Sequence, residues 1–370
     1  MQKRDTNLLY QVALTMIPGV GPILARNLVS YCGSVEAVFK ERQNRLVKIP
    51  DIGPVTATAI AKHKVFERAE EECVFIEKYH IESMFFTGDN FPRRLAGCTD
   101  APVMIYYKGN YDLNNSRIIA IVGTRNATDY GKEITEQLVK DFAGKNICVV
   151  SGLAYGIDIC AHKTAVKNNV PTIGVLGHGL DRIYPQVHKP TAEKMIGQGG
   201  LLTEYMSQTN PDKENFPARN RIIAGISDGV IVVEAAKKGG ALITAHIADS
   251  YNRDVFAVPG KLNDPYSEGC NRLIKTNKAV LIESAADIKY IMGWDNQKVS
   301  SKAPIQKKLF IDLNAEEKIL TDVLGEKGAM HIDAICQRSE LPMSKVAMSL
   351  LNLEFNGILK SLPGKMYELT

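Results

Sequence analysis

Two short apolar runs, each closed by a glycine turn, fix the architecture of this chain. The first, Ile118-Ile119-Ala120-Ile121-Val122, is too short for a free helix and rich in β-branched side chains, so it reads as a buried strand. It runs straight into Gly123-Thr124-Arg125. A helix is predicted from about Thr128, with Tyr130, Ile134, Leu138 and Phe142 four apart on one face and Gly144 at its end. Ile147-Cys148-Val149-Val150 is a second strand, leading into Ser151-Gly152-Leu153-Ala154-Tyr155-Gly156-Ile157-Asp158. The unit is βαβ, and its two glycine turns lie side by side at the carboxyl ends of parallel strands. Exposed N–H groups and a helix N-terminus attract phosphate there, and Arg125 adds a fixed positive charge.

The alternation continues downstream. Strands are predicted at Pro171–Leu176, Leu201–Thr203, Gly229–Glu234 and Val255–Val258, with a helix near Ala218 and Gly239-Gly240 opening another over Leu242–Ser250. Repeated strand, glycine turn and helix units predict an α/β fold, an extended Rossmann-like, doubly wound and mostly parallel sheet over residues 66–292. Ala101–Tyr107 adds a strand at its edge.

Flanking segments differ in pattern. Residues 1–65 hold a repeat, Ile17-Pro18-Gly19-Val20-Gly21-Pro22 and Ile49-Pro50-Asp51-Ile52-Gly53-Pro54, each before a short apolar helix. Both resemble helix-hairpin-helix motifs, whose glycines let backbone N–H groups meet a DNA phosphate; a small packing domain with tight turns is the other reading. Arg26, Lys48, Lys62 and Lys64 lie near the hairpins. Residues 293–309, with Pro304, two serines and four lysines, read as a linker. Residues 310–370 predict three helices, the second capped by Asp333 and the third starting at Ser344, then a hairpin turning at Pro363-Gly364: a winged-helix-like domain.

The formal net charge of +4 implies no sequence-wide basic field, so any nucleic-acid site depends on local placement of Lys and Arg. Seven scattered cysteines, none in a C-x-x-C pair, read as free thiols of a reducing compartment. With no apolar leader after Met1 and no long apolar run, a cytoplasmic protein without a membrane segment is expected.

Known cofactor signatures do not fit. The turns Gly123-Thr124-Arg125-Asn126-Ala127 and Gly152-x-Ala154-x-Gly156 are not G-x-G-x-x-G, and no P-loop occurs, so no cofactor is expected. His162, His178, His188 and His246 have no partner carboxylate at motif spacing, and Asp158 reads as a helix cap rather than an acid. The Glu234–Thr244 region keeps the glycine pair of lysine-decarboxylase-like nucleoside-phosphate hydrolases and lacks their downstream acid. That hydrolase is one alternative; a transcription regulator whose tail reads duplex DNA is another. The second dense stretch is Asn215–Gly225. Arg219, Asn220 and Arg221 stand beside a helix start, with Lys213 and Phe216 on the loop before it. Cation beside aromatic suits single-stranded nucleic acid, which needs charge for its backbone and a face for its bases. Arg219 and Arg221 otherwise pair with Glu234 or Asp228, and Phe216 otherwise packs in the core.

These motifs, together with Leu176-Gly177-x-Gly179-Leu180-Asp181, Tyr184-Pro185, Ala161-His162 and Val258-Pro259-Gly260, resemble the bacterial DNA-processing protein A family, also called DprA or Smf. The resemblance covers about residues 66–292. It implies a recombination mediator and not an enzyme, one that binds and protects incoming single-stranded DNA in natural transformation and loads the RecA recombinase onto it. It implies that Gly123, Thr124 and Arg125 grip phosphates, that Lys213 meets the backbone and that Phe216 stacks on a base. Ser151, Gly152, Gly239 and Gly240 complete the expected nucleic-acid site. Some members carry lysine after the Tyr-Pro pair; Gln186 stands there, with Lys189 as a substitute. A homodimer joined near Ser284–Met292 is implied, with the RecA contact nearby.

Overall fold

In a computed structural model, the described residues are 6–115, 117–294, 313–362 and 364–370. The chain divides into two compact units, residues 1–249 with 254–283, and residues 250–253 with 284–370. The first is built on a nine-stranded sheet. Its strands are β1 (Glu82–Phe85), β2 (Met104–Gly109), β3 (Ile118–Val122), β4 (Cys148–Ser151), β5 (Thr172–Val175), β6 (Gly200–Thr203), β7 (Gly229–Val232), β8 (Asp254–Ala257) and β9 (Val280–Leu281). The spatial order is β1-β2-β6-β5-β4-β3-β7-β8-β9. β6 through β9 run parallel, while β1 and β2 are antiparallel at one edge. From β3 the chain winds outward through β4 and β5, then returns to β7 on the other side of β3. The switch point lies between β3 and β7, and a crevice opens beyond their carboxyl ends. The doubly wound sheet expected from the sequence is therefore the fold.

The strands form where the β-branched runs stand. β3, β4, β5 and β7 are buried along their whole length, as strands covered on both faces must be. After β3 the helix Asp129–Asp141 begins at Thr128, whose hydroxyl accepts the Gly131 N–H. Its buried face is Thr135, Leu138, Val139 and Phe142, while Tyr130 is 45% exposed and donates its hydroxyl to the Pro259 carbonyl. The two-residue strand β9 carries no sequence signal of its own.

At the β1 edge a helical layer shares one core with the sheet: Val12, Leu14, Leu28 and Ile60 pack in the same cluster as Phe85 and Tyr106. Pro18, Gly19 and Gly21 of the first hairpin are exposed, as are Pro50, Asp51 and Gly53 of the second. Arg26 turns away from its hairpin. It donates to the Cys98 and Thr99 carbonyls and lies 5.6 Å from the Phe86 ring centroid, so it braces the layer. Arg94 and Asp228 pair at 2.6 Å in a largely buried setting, and Asp228 also accepts the Ile118 N–H that starts β3.

The second unit contains the helix Ala285–Ile291, capped by Ser284 and Asp287, and a small three-helix domain. Its helices are Ala315–Lys327, Ile332–Ser339 and Met343–Phe355, and its strands are β10 (Met330–His331), β11 (Leu359–Leu362) and β12 (Met366–Leu369) in the order β10-β12-β11. This is a winged helix. His331 caps the second helix in place of Asp333, whose N–H it accepts, and the third helix starts at Met343 after Pro342. Most of the expected linker, and Pro363 of the expected turn, lie outside the described residues. The seven cysteines are free thiols. Among the described residues no helix is long and apolar enough to cross a membrane.

Candidate nucleic-acid interface

A cleft of about 670 Å³ opens at the switch point, floored by the turns after β3 and β4 and walled by Lys213–Ile223 and Lys238–Thr244. Tight packing between the two turns holds its floor. Ile157 donates its N–H to the Thr124 carbonyl, 3.2 Å away. A Cβ on Gly123 would lie 2.4 Å from the Ile157 side chain, and one on Gly156 would lie 2.1 Å from the Thr124 carbonyl oxygen. These two glycines exist to bring loop against loop, a requirement that precedes any ligand.

Glu234, at the end of β7, fastens the first turn from the other side. Its carbonyl accepts the Thr124 N–H at 2.8 Å, and its carboxylate accepts the Thr128 N–H at 3.0 Å and the Thr128 hydroxyl. It is 1% exposed. The carboxylate is fully engaged in positioning, and neither Arg219 nor Arg221 pairs with it.

Arg125 projects from this braced turn. It is exposed, makes no ion pair among the described residues, and its guanidinium carbon lies 5.7 Å from the Phe216 ring centroid. Phe216 is half-buried, neither core nor free, and its ring is 6.1 Å from that of Tyr184 at 34°. Lys213, on the wall that carries Phe216, and Lys238, on the other wall, are exposed without ion pairs among the described residues. Gly239 and Gly240 open the helix Gly240–Ser250, where a Cβ on Gly239 would meet nothing, so that backbone faces open space. Arg125, Thr124, Lys213, Phe216, Gly239 and Gly240 thus share one cleft.

Arg219 is also at the cleft but only 5% exposed. It donates to the Val175 carbonyl and, at 3.2 Å, to the Asn220 side-chain oxygen; Asn220 itself reaches the Gly240 carbonyl at 3.4 Å. Burial lowers the Arg219 pKa to about 10, still a cation at neutral pH. Asp158, 8% exposed, is pushed upward by burial and drawn back by Arg219. Gly152 lies between them: a Cβ there would stand 2.5 Å from the Asp158 carboxylate and 2.6 Å from the Arg219 guanidinium. The helix cap expected of Asp158 is Gly156 instead.

Three expected contacts lie elsewhere. Ser151 is fully buried and donates its hydroxyl to the Ile121 carbonyl at 2.6 Å, tying β4 to β3. Arg221, two residues after Arg219 on one helix, points away from the cleft and pairs with Glu204. Lys189 lines a separate groove with Lys108 and Arg182, 3.9 Å from Glu193. Conversely, Lys238 and Tyr184 stand at the cleft although neither is among the expected contacts; a lysine before the glycine pair, and the aromatic of the Tyr184-Pro185 motif, are signals in plain view.

Among the described residues, the histidines near the cleft form no pair with a carboxylate. His162 bridges the Gly152 carbonyl at 2.6 Å and the Thr172 hydroxyl at 2.7 Å, and burial drops its pKa to about 4. His188 bonds the Leu153 carbonyl. Among the described residues no cluster suited to a metal ion occurs. The arrangement offers cations, backbone donors and aromatic faces around a concave floor, which serves anion and base binding.

Residues 82–292 match the family model of DNA recombination-mediator protein A, residues 310–365 the DprA winged helix domain, and residues 12–63 a SAM-like helix-hairpin-helix tandem. Protein Smf of Synechocystis sp. is 32% identical over 97% of this chain and 98% of its own. The X-ray structure of DNA processing protein A from Streptococcus pneumoniae aligns with a TM-score of 0.67 at 33% identity, covering 76% of this chain and 97% of that one. A structure of the Helicobacter pylori protein, described for its single-stranded DNA binding mode, aligns with a TM-score of 0.53 at 30% identity over 58% of this chain and 96% of that one. The motif resemblance, the sheet order and these matches agree over the same central span, and the chain belongs to the DNA recombination-mediator protein A family.

Proposed function

We propose that this protein binds single-stranded DNA across the switch-point cleft and acts as a recombination mediator in natural transformation, protecting the strand and loading the RecA recombinase onto it. The observation that carries this is the placement of the Arg125 cation, which has no ion pair among the described residues, against the half-open Phe216 ring, in a cleft with Lys213 on the same wall as that ring and Lys238 on the other. Charge tracks the backbone, the ring faces serve unpaired bases, and the site binds rather than converts. A relative whose structure is described by its single-stranded DNA binding mode supports the same reading.

The test is affinity for single-stranded against duplex DNA at two salt levels. Binding should be tighter to single strands and should fall by orders of magnitude between about 50 and 200 mM salt. Phe216→Ala should cost about 1–3 kcal/mol, the value of one base–aromatic stack. Lys213→Ala should reduce the slope of log affinity against log salt by about one, the signature of one phosphate contact. Salt-independent binding would place the anion site elsewhere.

The winged helix does not favour duplex reading. Lys345 on its third helix is held by Glu316 at 2.7 Å, and the exposed side of that helix carries Met348, Leu351 and Phe355.

A homodimer joined through Ser284–Met292 would set two clefts along one strand and leave backbone free for the recombinase. Ile288 is fully buried, so a charge there tests folding and not assembly, whereas Tyr290 is 82% and Ile291 40% exposed. Tyr290→Glu with Ile291→Glu should give folded monomers in sedimentation and circular dichroism, with weakened DNA binding and no stimulation of RecA filament nucleation. A dimer that survives both changes would remove this surface from consideration.

A further inference from the structure

We propose that Tyr155 is a second stacking platform for the bound strand, so that a base beyond the one on Phe216 rests against its ring. This rests on the single-strand reading above and adds a binding residue to it.

Beside the main cleft lies a smaller chamber with Tyr155, Leu153, Leu176 and Pro185 in its lining. Arg125, Ala154, Tyr184, Phe216 and Arg219 line both spaces, so one continues into the other. Three rings along this surface are partly open: Phe216 is half-buried, Tyr184 is 49% exposed and Tyr155 is 52% exposed. The Tyr184 and Phe216 rings stand 6.1 Å apart, and Tyr155 is the aromatic that the chamber adds to them. A strand with one base on Phe216 and its backbone at Arg125 has this surface to follow past Tyr184.

A half-exposed tyrosine is ordinary on a protein surface. What sets Tyr155 apart is that its backbone and its ring are both held. It precedes Gly156, where an added Cβ would stand 2.1 Å from the Thr124 carbonyl oxygen, so the turn that carries it is locked against the Arg125 turn. Its ring centroid lies 4.9 Å from that of His188 at 68°, an edge-to-face contact. His188 is 4% exposed, and its Nδ1 donates to the Leu153 carbonyl at 2.8 Å, two residues before Tyr155. Loop and ring are thus pinned to the same buried imidazole. A ring held in this way loses little freedom when a base settles on it, and every base has a face to offer. The apolar side chains of Leu153 and Leu176 in the same chamber suit a base and not a phosphate.

The experiment titrates the full chain, Tyr155→Leu and Tyr155→Trp with the shortest oligo-dT that the wild type binds at full affinity. The same strand is then used with a single abasic site moved along it one position at a time. Leucine keeps an apolar cover over His188 and removes the aromatic face, while tryptophan keeps the face. Tyr155→Leu should lose about tenfold in affinity, the worth of one base–aromatic stack, with its salt slope unchanged because no charge is removed. Tyr155→Trp should stay within about twofold of the wild type. In the wild type the abasic scan should find two sensitive positions; Tyr155→Leu should abolish one and Phe216→Ala the other. Wild-type affinity in Tyr155→Leu, or a loss in that variant that is the same at every abasic position, would overturn the inference and leave single-strand binding intact. Failure of the wild type to bind the unmodified strand would overturn the single-strand reading as well.

Discussion

Arg125→Ala is expected to weaken single-stranded DNA binding by roughly thirtyfold, about 2 kcal/mol, without lowering the thermal unfolding temperature. Arg125 is exposed and takes no part in an ion pair among the described residues, so its removal leaves the fold nothing to repair. Two contributions disappear together. One is a cation at the point where the braced turn meets the open cleft; the other is the guanidinium set 5.7 Å from the Phe216 centroid, which fixes that ring for stacking. Arg125→Lys separates them. It should restore the salt dependence, which counts charges, and recover affinity only in part, because an ammonium lacks the planar face. Titration of a labelled strand at two salt levels reads both quantities. An Arg125→Ala variant within twofold of the wild type would show that the strand follows another path.

The second large effect should come from Gly156→Ala, and it should appear first in stability. Gly156 has φ 78° and ψ −127°, a region essentially reserved for glycine. A single methyl there would also stand 2.1 Å from the Thr124 carbonyl oxygen and 2.6 Å from that of Arg125, both backbone atoms that cannot swing aside. Backbone strain of about 1–3 kcal/mol adds to the displacement of a turn held by hydrogen bonds on both sides. A total of about 3 kcal/mol is expected, lowering the unfolding temperature by roughly 6–12 °C in a domain of this size. Because the displaced turn carries Arg125, DNA affinity should fall with it. An unchanged unfolding temperature would mean the two loops are not mutually locked.

Much of this was legible in the residues. The β-branched runs at Ile118–Val122 and Cys148–Val150, each followed by glycine, predict the βαβ unit and put Arg125 at the crevice, because strand polarity alone decides which end the turns occupy. What the sequence hides is the direction of side chains that compete for partners. Arg219 and Arg221 look alike in the string, yet two residues on a helix turn by about 200°, so one faces the cleft and the other meets Glu204. Ser151 ends a strand, and its hydroxyl is taken by the neighbouring backbone before any ligand arrives. Lys189 follows the Tyr-Pro motif by only a few residues, but its helix leads into a different groove. β9 spans two residues, too few for any periodicity to register.

The Glu234 carboxylate has a temporal consequence. It grips Thr128 across 106 positions of chain, at the end of a strand that must already lie beside β3. Contacts at such separation close late, since the intervening loop entropy must be met first. The turn that carries Arg125 therefore becomes rigid only when both halves of the sheet have assembled. A chain still emerging during synthesis lacks the anchor and holds Arg125 on a loose loop. The geometry of the Arg125 turn is thus acquired in one step, with completion of the sheet.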